Sequence, residues 1–92
     1  MKVLTVLVAA ALALPAATAQ AESCSGLQSR INTLMAQANN AQGICQAARI
    51  EVALYQAAGD YNWYCVNGGK AQAQEYYNAR DQAQQTANAS CS

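Results

Sequence analysis

Four cysteines, spaced almost evenly, constrain this chain more than any other feature of its sequence. They are Cys24, Cys45, Cys65 and Cys91, with 20, 19 and 25 residues between neighbours. A helix rises ~1.5 Å per residue, so a helical interval of this length carries one cysteine ~30 Å from the next. Neighbouring cysteines would then lie at opposite ends of a helical rod, too far apart to bond to each other.

The first 21 residues have the three regions of a signal peptide. Lys2 provides the positive charge, residues 3–14 the apolar stretch, and small residues at positions 17, 19 and 21 the cleavage site. The apolar stretch is too short to span ~30 Å of hydrocarbon, so it predicts a cleaved leader and not a membrane anchor. We expect cleavage before Glu22, with Gln20 as the second choice.

The remaining residues, 22–92, are expected to form one helical disulfide-bonded domain of a secreted or periplasmic protein, because disulfides persist in oxidising compartments. Lipid modification of Cys24 is less favoured, since it would leave an odd number of cysteines for pairing. A domain this short has a small core that rarely supplies more than ~3–5 kcal/mol. Two disulfides at ~2–4 kcal/mol each would therefore decide whether it stays folded.

The segment after the leader predicts a first amphipathic helix. Apolar residues recur every three or four positions, on one helical face: Leu27, Ile31, Leu34, Met35, Ala38 and Ala41. Ser23 or Ser25 is expected to cap its N-terminus. Residues 39–43 are turn-prone, and Gly43 is expected to provide a left-handed C-cap. The alternative is a single long first helix, because the apolar phase continues through residues 45–55.

A second apolar stripe runs in steps of three and four from residue 47 onward. Its members are Ala47, Ile50, Leu54, Ala57, Tyr61 and Tyr64. The stripe crosses Gly59 without losing phase, so we expect one helix that tolerates this glycine, at ~1 kcal/mol, and ends near Cys65. Residues 67–69, Asn-Gly-Gly, then break the helix.

Residues 70–90 predict a third helix whose inward face is mostly alanine. Their Ala, Gln, Glu and Arg content favours helix. The inward face is expected to contain Ala73, Tyr76, Ala79 or Arg80, Ala83, Ala87 and finally Cys91. Alanine buries little apolar area per residue, so we expect the bond through Cys91 to hold this helix in place.

Three helices of similar length joined by short turns must alternate in direction. Cys24 and Cys65 then meet at one end and Cys45 and Cys91 at the other, which predicts the crossed pairing Cys24–Cys65 with Cys45–Cys91. The fold class is therefore all-α, a small disulfide-stapled antiparallel three-helix bundle. The alternative is a two-helix hairpin with a long first helix, which suits the nested pairing Cys24–Cys91 with Cys45–Cys65.

The chain lacks the residues of common catalytic and metal sites. It has no histidine, which removes the commonest general base and metal ligand. The cysteines lack the C-x-x-C spacing of zinc and redox sites. The acids are isolated, since the pairs Glu51 with Asp60 and Glu75 with Asp81 do not stack on one helix face. We expect a non-enzymatic protein without a metal or a cofactor.

The basic residues of the domain are scattered singly, at Arg30, Arg49, Lys70 and Arg80. Recognition of nucleic acid or of an anionic membrane surface needs clustered Lys and Arg. We therefore expect no nucleic-acid partner, and no stable membrane insertion once the leader is cleaved.

All aromatic residues lie between positions 55 and 77: Tyr55, Tyr61, Trp63, Tyr64, Tyr76 and Tyr77. Three alternating helices gather most of them around the second turn. Tyr61, Tyr64 and Tyr76 have the phase of core residues, whereas Trp63 and Tyr77 are out of phase and are expected to be exposed. Exposed amphipathic rings beside amides suit a protein or a glycan. The candidate binding surface comprises Trp63, Tyr77, Tyr64 and Asn62.

These observations predict a small secreted or periplasmic helical interaction module that binds a protein or a glycan through its aromatic-rich end. If the rings only plug the end of an alanine core, the chain is instead a structural or stress-tolerance protein without a dedicated ligand. A further alternative is a small-ligand carrier, which would need a pocket of ~300 Å³ or more bounded by Leu54, Tyr61 and Tyr76.

Overall fold

The structure, a computed structural model, describes residues 22–91, which form three α-helices. Helix α1 spans Cys24–Asn39, α2 spans Gly43–Cys65 and α3 spans Lys70–Ser90. Residues 40–42 separate α1 from α2, and residues 66–69 separate α2 from α3, near the two predicted breaks. The alternative with a long first helix is therefore wrong. The predicted signal peptide, residues 1–21, lies outside the described residues.

Local sequence explains where α1 begins and ends. The Oγ of Ser23 accepts a hydrogen bond of 2.9 Å from the backbone N–H of Gly26, which confirms the predicted serine cap. At the other end the side chain of Asn40 donates to the carbonyl of Ala36 at 3.0 Å. Gly43 has a φ of 86°, the left-handed value that favours glycine, but it starts α2. Its predicted role as the C-cap of α1 is therefore wrong, because Asn40 ends that helix first.

The cysteines pair as the alternating helices predict. Cys24 is bonded to Cys65 with the two Cα atoms 5.8 Å apart, and Cys45 is bonded to Cys91 with the Cα atoms 4.9 Å apart. The start of α1 is thereby fastened to the end of α2, and the end of α3 to the start of α2. The predicted all-α, antiparallel, disulfide-stapled fold of three helices is confirmed.

The two disulfides attach α1 and α3 to opposite faces of α2. Cys45 and Cys65 are twenty positions apart, and at ~100° per residue the second lies ~200° round the helix from the first. Helices α1 and α3 each contact α2, but no Cα atom of one lies within 8 Å of a Cα atom of the other. The bundle is therefore open, with α2 in the middle.

The two apolar patterns of α2 belong to these two faces. The pattern that continues from Cys45 faces α3, where the ring of Tyr55 stacks with that of Tyr76 at a centroid distance of 6.3 Å. The pattern that contains Leu54 and Tyr61 shares the face of Cys65, which is bonded to α1. In the sequence, these two apolar patterns suggest competing arrangements of the helices. In the structure both belong to α2, and each pattern faces a different neighbouring helix.

The buried core is built almost entirely of alanine. Its apolar members are Leu27, Ala48, Ala57, Ala73, Ala83 and Ala87. The expected inward alanines of α3 are among them. Two stripe members expected in the core, Met35 and Tyr64, are instead 51% and 61% exposed. Met35 lies at the edge of its stripe on a helix with one neighbour, and Tyr64 lies ~100° from each cysteine of α2 and so on neither contact face.

Candidate functional site: the aromatic end

Several aromatic residues lie close to the turn from α2 to α3, where the sequence predicts that most of them gather. The turn between Cys65 and Lys70 depends on two glycines. Gly68 has a left-handed φ of 77°. Gly69 is buried so closely against the carbonyl of Asn62 and the side chain of Val66 that a Cβ there would overlap both. These contacts hold the last turn of α2 against the first turn of α3.

Tyr77 is half-buried between α2 and α3, and its predicted exposure is wrong. Its ring lies against the backbone of Gly59, where any Cβ would overlap the ring atoms. Its hydroxyl donates a hydrogen bond of 2.7 Å to Oδ1 of Asp60. Helical phase within α3 predicts that Tyr76 points inward and Tyr77 outward. Because Gly59 has no side chain, there is also room for the ring of Tyr77 between the helices.

Asp60 is the centre of a hydrogen-bonded network that joins α2 to α3. Its Oδ1 accepts from the hydroxyl of Tyr77 and, at 3.1 Å, from Nε2 of Gln56. Arg80 closes the network, because its Nη1 donates to Oε1 of Gln56 at 2.7 Å and its guanidinium lies 5.1 Å from the ring centroid of Tyr77. These polar groups point at one another, so the network holds the two helices together.

The same surroundings affect the ionisation of Tyr77. Burial of the phenol, its hydrogen bond to Asp60 and repulsion by that carboxylate together raise the pKa of Tyr77 well above its ordinary value of 10.0. The ionised phenolate would lie beside a carboxylate, in surroundings that solvate it less well than water does. Tyr77 is therefore a neutral hydrogen-bond donor at physiological pH.

Trp63 is 37% exposed, as its phase predicts, but its ring is engaged within the protein. The ring centroid of Tyr77 lies 6.5 Å away at an interplanar angle of 46°. The Nζ of Lys70 lies over the indole, 4.8 Å from its centroid. Lys70, Trp63, Tyr77 and Arg80 thus form a row of cation, ring, ring and cation along the two helices.

Beside this row lies an open cleft of about 500 Å³, which we call the aromatic cleft. Its lining residues are Trp63, Tyr64, Cys65, Val66, Asn67, Gly68 and Lys70. Three of them expose large apolar side chains, since Tyr64 is 61%, Val66 38% and Trp63 37% exposed. Lys70 is the only charged residue of the lining. The cleft therefore combines exposed apolar area with one positive charge.

The structure separates the four residues of the predicted binding surface. Trp63 and Tyr64 line the aromatic cleft, Tyr77 lies between the helices, and Asn62 donates its side-chain amide to the carbonyl of Ala58 at 2.9 Å. Among the lining residues outside the predicted surface, Val66 contributes an exposed apolar side chain and Lys70 a charge, and sequence reasoning missed both roles. Signals for both exist, because Val66 is a large apolar residue next to the Asn-Gly-Gly turn and Lys70 is the one basic residue between positions 55 and 77.

Three further features of residues 22–91 concern metal binding, membrane crossing and the carrier pocket. In that range no group of three His, Cys, Asp or Glu side chains is placed to hold a metal ion. None of the helices there has the length and apolarity needed to cross a membrane. The main clefts of this part of the chain are not lined by the carrier residues Leu54, Tyr61 and Tyr76.

Comparisons with protein-family models, with curated proteins and with solved structures found no match to this chain. Its function is therefore inferred from what the aromatic end exposes.

Proposed function

We propose that the chain is a small secreted or periplasmic helical interaction module, without enzymatic activity, whose partner binds the aromatic cleft. The observation that carries this proposal is the distribution of large and small side chains. Alanine fills the core, whereas three of the four residues from Trp63 to Val66 expose large apolar side chains. Clustered apolar exposure of this kind marks interaction sites in soluble proteins.

The contacts that hold the cleft in place also support this function. Cys65, in the middle of the exposed residues, is bonded to Cys24 of α1. On the other side the backbone of Gly69 packs against Val66, and Lys70 lies over the ring of Trp63. A surface that is ordered before binding loses less conformational entropy when the partner arrives, and rigid aromatic anchors are common binding hot spots.

Two features of the chain support the location and the absence of catalysis in this proposal. Both disulfides would be stable in an oxidising compartment, such as the extracellular space or a bacterial periplasm. The sequence contains no histidine, and its four cysteines are all paired in disulfides, so none of them is a free thiol. Binding is thus the activity to which the exposed side chains are best suited.

A structural or stress-tolerance protein without a dedicated ligand is the second candidate, and one observation favours it. Tyr77 and part of Trp63 are engaged in contacts between α2 and α3. If the aromatic residues only hold the helices together, the exposed side chains of Tyr64 and Val66 have no binding function. The interaction module predicts that Tyr64 contacts a partner, whereas the structural protein gives Tyr64 no partner to contact.

Replacing Tyr64 tests the proposal. Tyr64→Ala should leave the melting temperature nearly unchanged, because the side chain is exposed, and should abolish capture of the partner from the secreted or periplasmic fraction of the producing cells. Ile44→Ala is the matched control, since Ile44 is also apolar and exposed but lies at the opposite end of α2. A protein or glycan retained by wild type and Ile44→Ala, but not by Tyr64→Ala, supports the module. Identical captured sets for all three would contradict it.

A further inference from the structure

We infer that the partner of the aromatic cleft is an acidic segment of a protein, with an apolar side chain against Tyr64 and Val66 and a carboxylate paired with Lys70. This inference rests on the proposed function, because it names the class of partner for the same surface. The charge of the cleft, the occupied face of Trp63 and the size of the cleft carry it.

Lys70 is the one charged residue of the cleft lining, and no carboxylate of residues 22–91 forms an ion pair with it. Within residues 22–91, no carboxylate oxygen lies within 4.0 Å of its ammonium, whereas two other basic residues form ion pairs, Arg30 with Glu22 and Arg80 with Asp81. The first turn of α3, which Lys70 starts, contains no acidic residue. The cleft is therefore complementary to a negatively charged partner.

The position of Lys70 over Trp63 disfavours a glycan. A sugar ring binds tryptophan by stacking on an open face of the indole. Here the ammonium of Lys70 covers a face at 4.8 Å from the centroid, and the ring of Tyr77 approaches to 6.5 Å. A sugar that stacked on the covered face would have to displace the ammonium, whereas a carboxylate adds to it without disturbing the indole.

Tyr64 and Val66 supply the apolar half of the cleft. Their side chains are exposed on either side of Cys65, which is attached to α1 by its disulfide to Cys24. The backbone at Gly68 is open to an approaching chain, because a Cβ there would meet no atom within 4 Å. A cleft of about 500 Å³ has the size of a small-ligand pocket and accommodates a few side chains of an extended segment.

The inference is tested by selecting short displayed peptides on the oxidised, exported protein. Peptides enriched on wild type should carry Asp or Glu beside an aromatic or branched apolar residue. Lys70→Glu should reverse this preference to Lys or Arg. Arg49→Glu is the matched control, because Arg49 is an exposed base elsewhere on α2 and its reversal should leave the acidic preference intact. Helical content and melting temperature of each variant verify that it is folded.

A synthetic copy of an enriched peptide provides a second readout. It should bind Lys70→Glu about tenfold more weakly than wild type, and its affinity for wild type should fall as salt is raised. Tyr64→Ala should lose the peptide altogether. Acidic enrichment that survives Lys70→Glu would overturn the inference.

The remaining outcomes separate this inference from the proposed function. Peptides that depend on Tyr64 but show no acidic preference would overturn the inference and leave the interaction surface standing. Tyr64-dependent binding of neutral glycans on an array, in place of peptides, would do the same and make the partner a glycan. If neither peptides nor glycans bind in a Tyr64-dependent way, both the inference and the proposed function fail.

Discussion

The ring of Tyr77 on α3 packs against the backbone of Gly59 on α2, and this contact explains a glycine inside a 23-residue helix. Glycine disfavours a helix interior by ~1 kcal/mol relative to alanine. Here it makes room for a ring whose hydroxyl is then held by the next residue, Asp60. The ring is thus fixed at its face and at its hydroxyl, and it joins the two helices.

Gly59→Ala should destabilise the protein, although alanine is the better helix former. The new methyl group would overlap the ring of Tyr77, and overpacking of this kind costs about 1–3 kcal/mol, more than the gain in helix propensity. Urea unfolding of the oxidised protein measures the change. A more stable Gly59→Ala variant would show that the ring moves aside freely.

The double variant with Tyr77→Ala is the control for this prediction. Without the ring, Gly59→Ala should be neutral or stabilising, which gives an interaction energy of ~0.5–3 kcal/mol in a double-mutant cycle. Additive effects of the two substitutions would mean that Gly59 and Tyr77 do not act on each other.

The raised pKa of Tyr77 predicts a loss of stability at alkaline pH. The phenol ionises near 10.0 in the unfolded chain and only at higher pH in the folded protein. Its contribution is therefore fully present below pH 10.0 and declines as the pH rises through the folded-state pKa. Tyr77→Phe should be less stable at neutral pH, by ~0.5–1.5 kcal/mol for the lost hydrogen bond, but should show a shallower alkaline decline. Melting temperatures of both proteins at neutral and alkaline pH check this, and parallel pH curves would contradict it.

Removing one disulfide should affect different helices from removing the other. Their sequence separations are 41 and 46, so the chain-entropy model gives both a similar contribution of ~4 kcal/mol. The helices they hold differ more. Helix α1 contacts only α2 and buries one residue, Leu27, whereas α3 buries three alanines and is also held by Tyr77 and Arg80.

We therefore expect Cys24→Ser with Cys65→Ser to release α1 while α2 and α3 stay paired. Cys45→Ser with Cys91→Ser should instead lower global stability and leave all three helices in place. Hydrogen exchange of the backbone amides, compared helix by helix, distinguishes the two variants. Equal protection of α1 in both would contradict the expected difference.

The helices and the disulfide pairing were predictable because both depend on distances along the chain. The spacing of Cys24, Cys45, Cys65 and Cys91 leaves one crossed pairing once the helices alternate. The Asn-Gly-Gly turn and the unbroken phase across Gly59 are likewise local signals. None of these inferences requires knowledge of how each helix is rotated about its axis.

Apart from the C-cap role of Gly43, the errors concern that rotation. Tyr77 lies inward because a glycine on another helix leaves room for it, and no periodicity within α3 reports this. Tyr64 and Met35 lie outward because α1 and α3 do not contact each other. Each helix therefore buries a narrower apolar face than it would in a closed bundle. The open arrangement is nevertheless encoded in the twenty-position separation of Cys45 and Cys65, which directs the two disulfides to opposite faces of α2.

Export predicts a defined N-terminus. If residues 1–21 are a signal peptide, the secreted form should begin at Glu22 or, as the second choice, at Gln20, and its intact mass should include two disulfides. Mass spectrometry of the protein recovered outside the cytoplasm measures both. Recovery there of a chain that still begins with Met1 would contradict leader cleavage.

Crosslinking from the aromatic cleft tests the central claim, that the exposed residues at the end of α2 contact a partner. A photoreactive benzophenone amino acid is placed at position 64 in the producing cells, and in a parallel strain at position 44, which is exposed at the other end of α2. Illumination should yield a discrete adduct from position 64 and none from position 44. No adduct from position 64, or the same products from both positions, would contradict the interaction surface proposed for this protein.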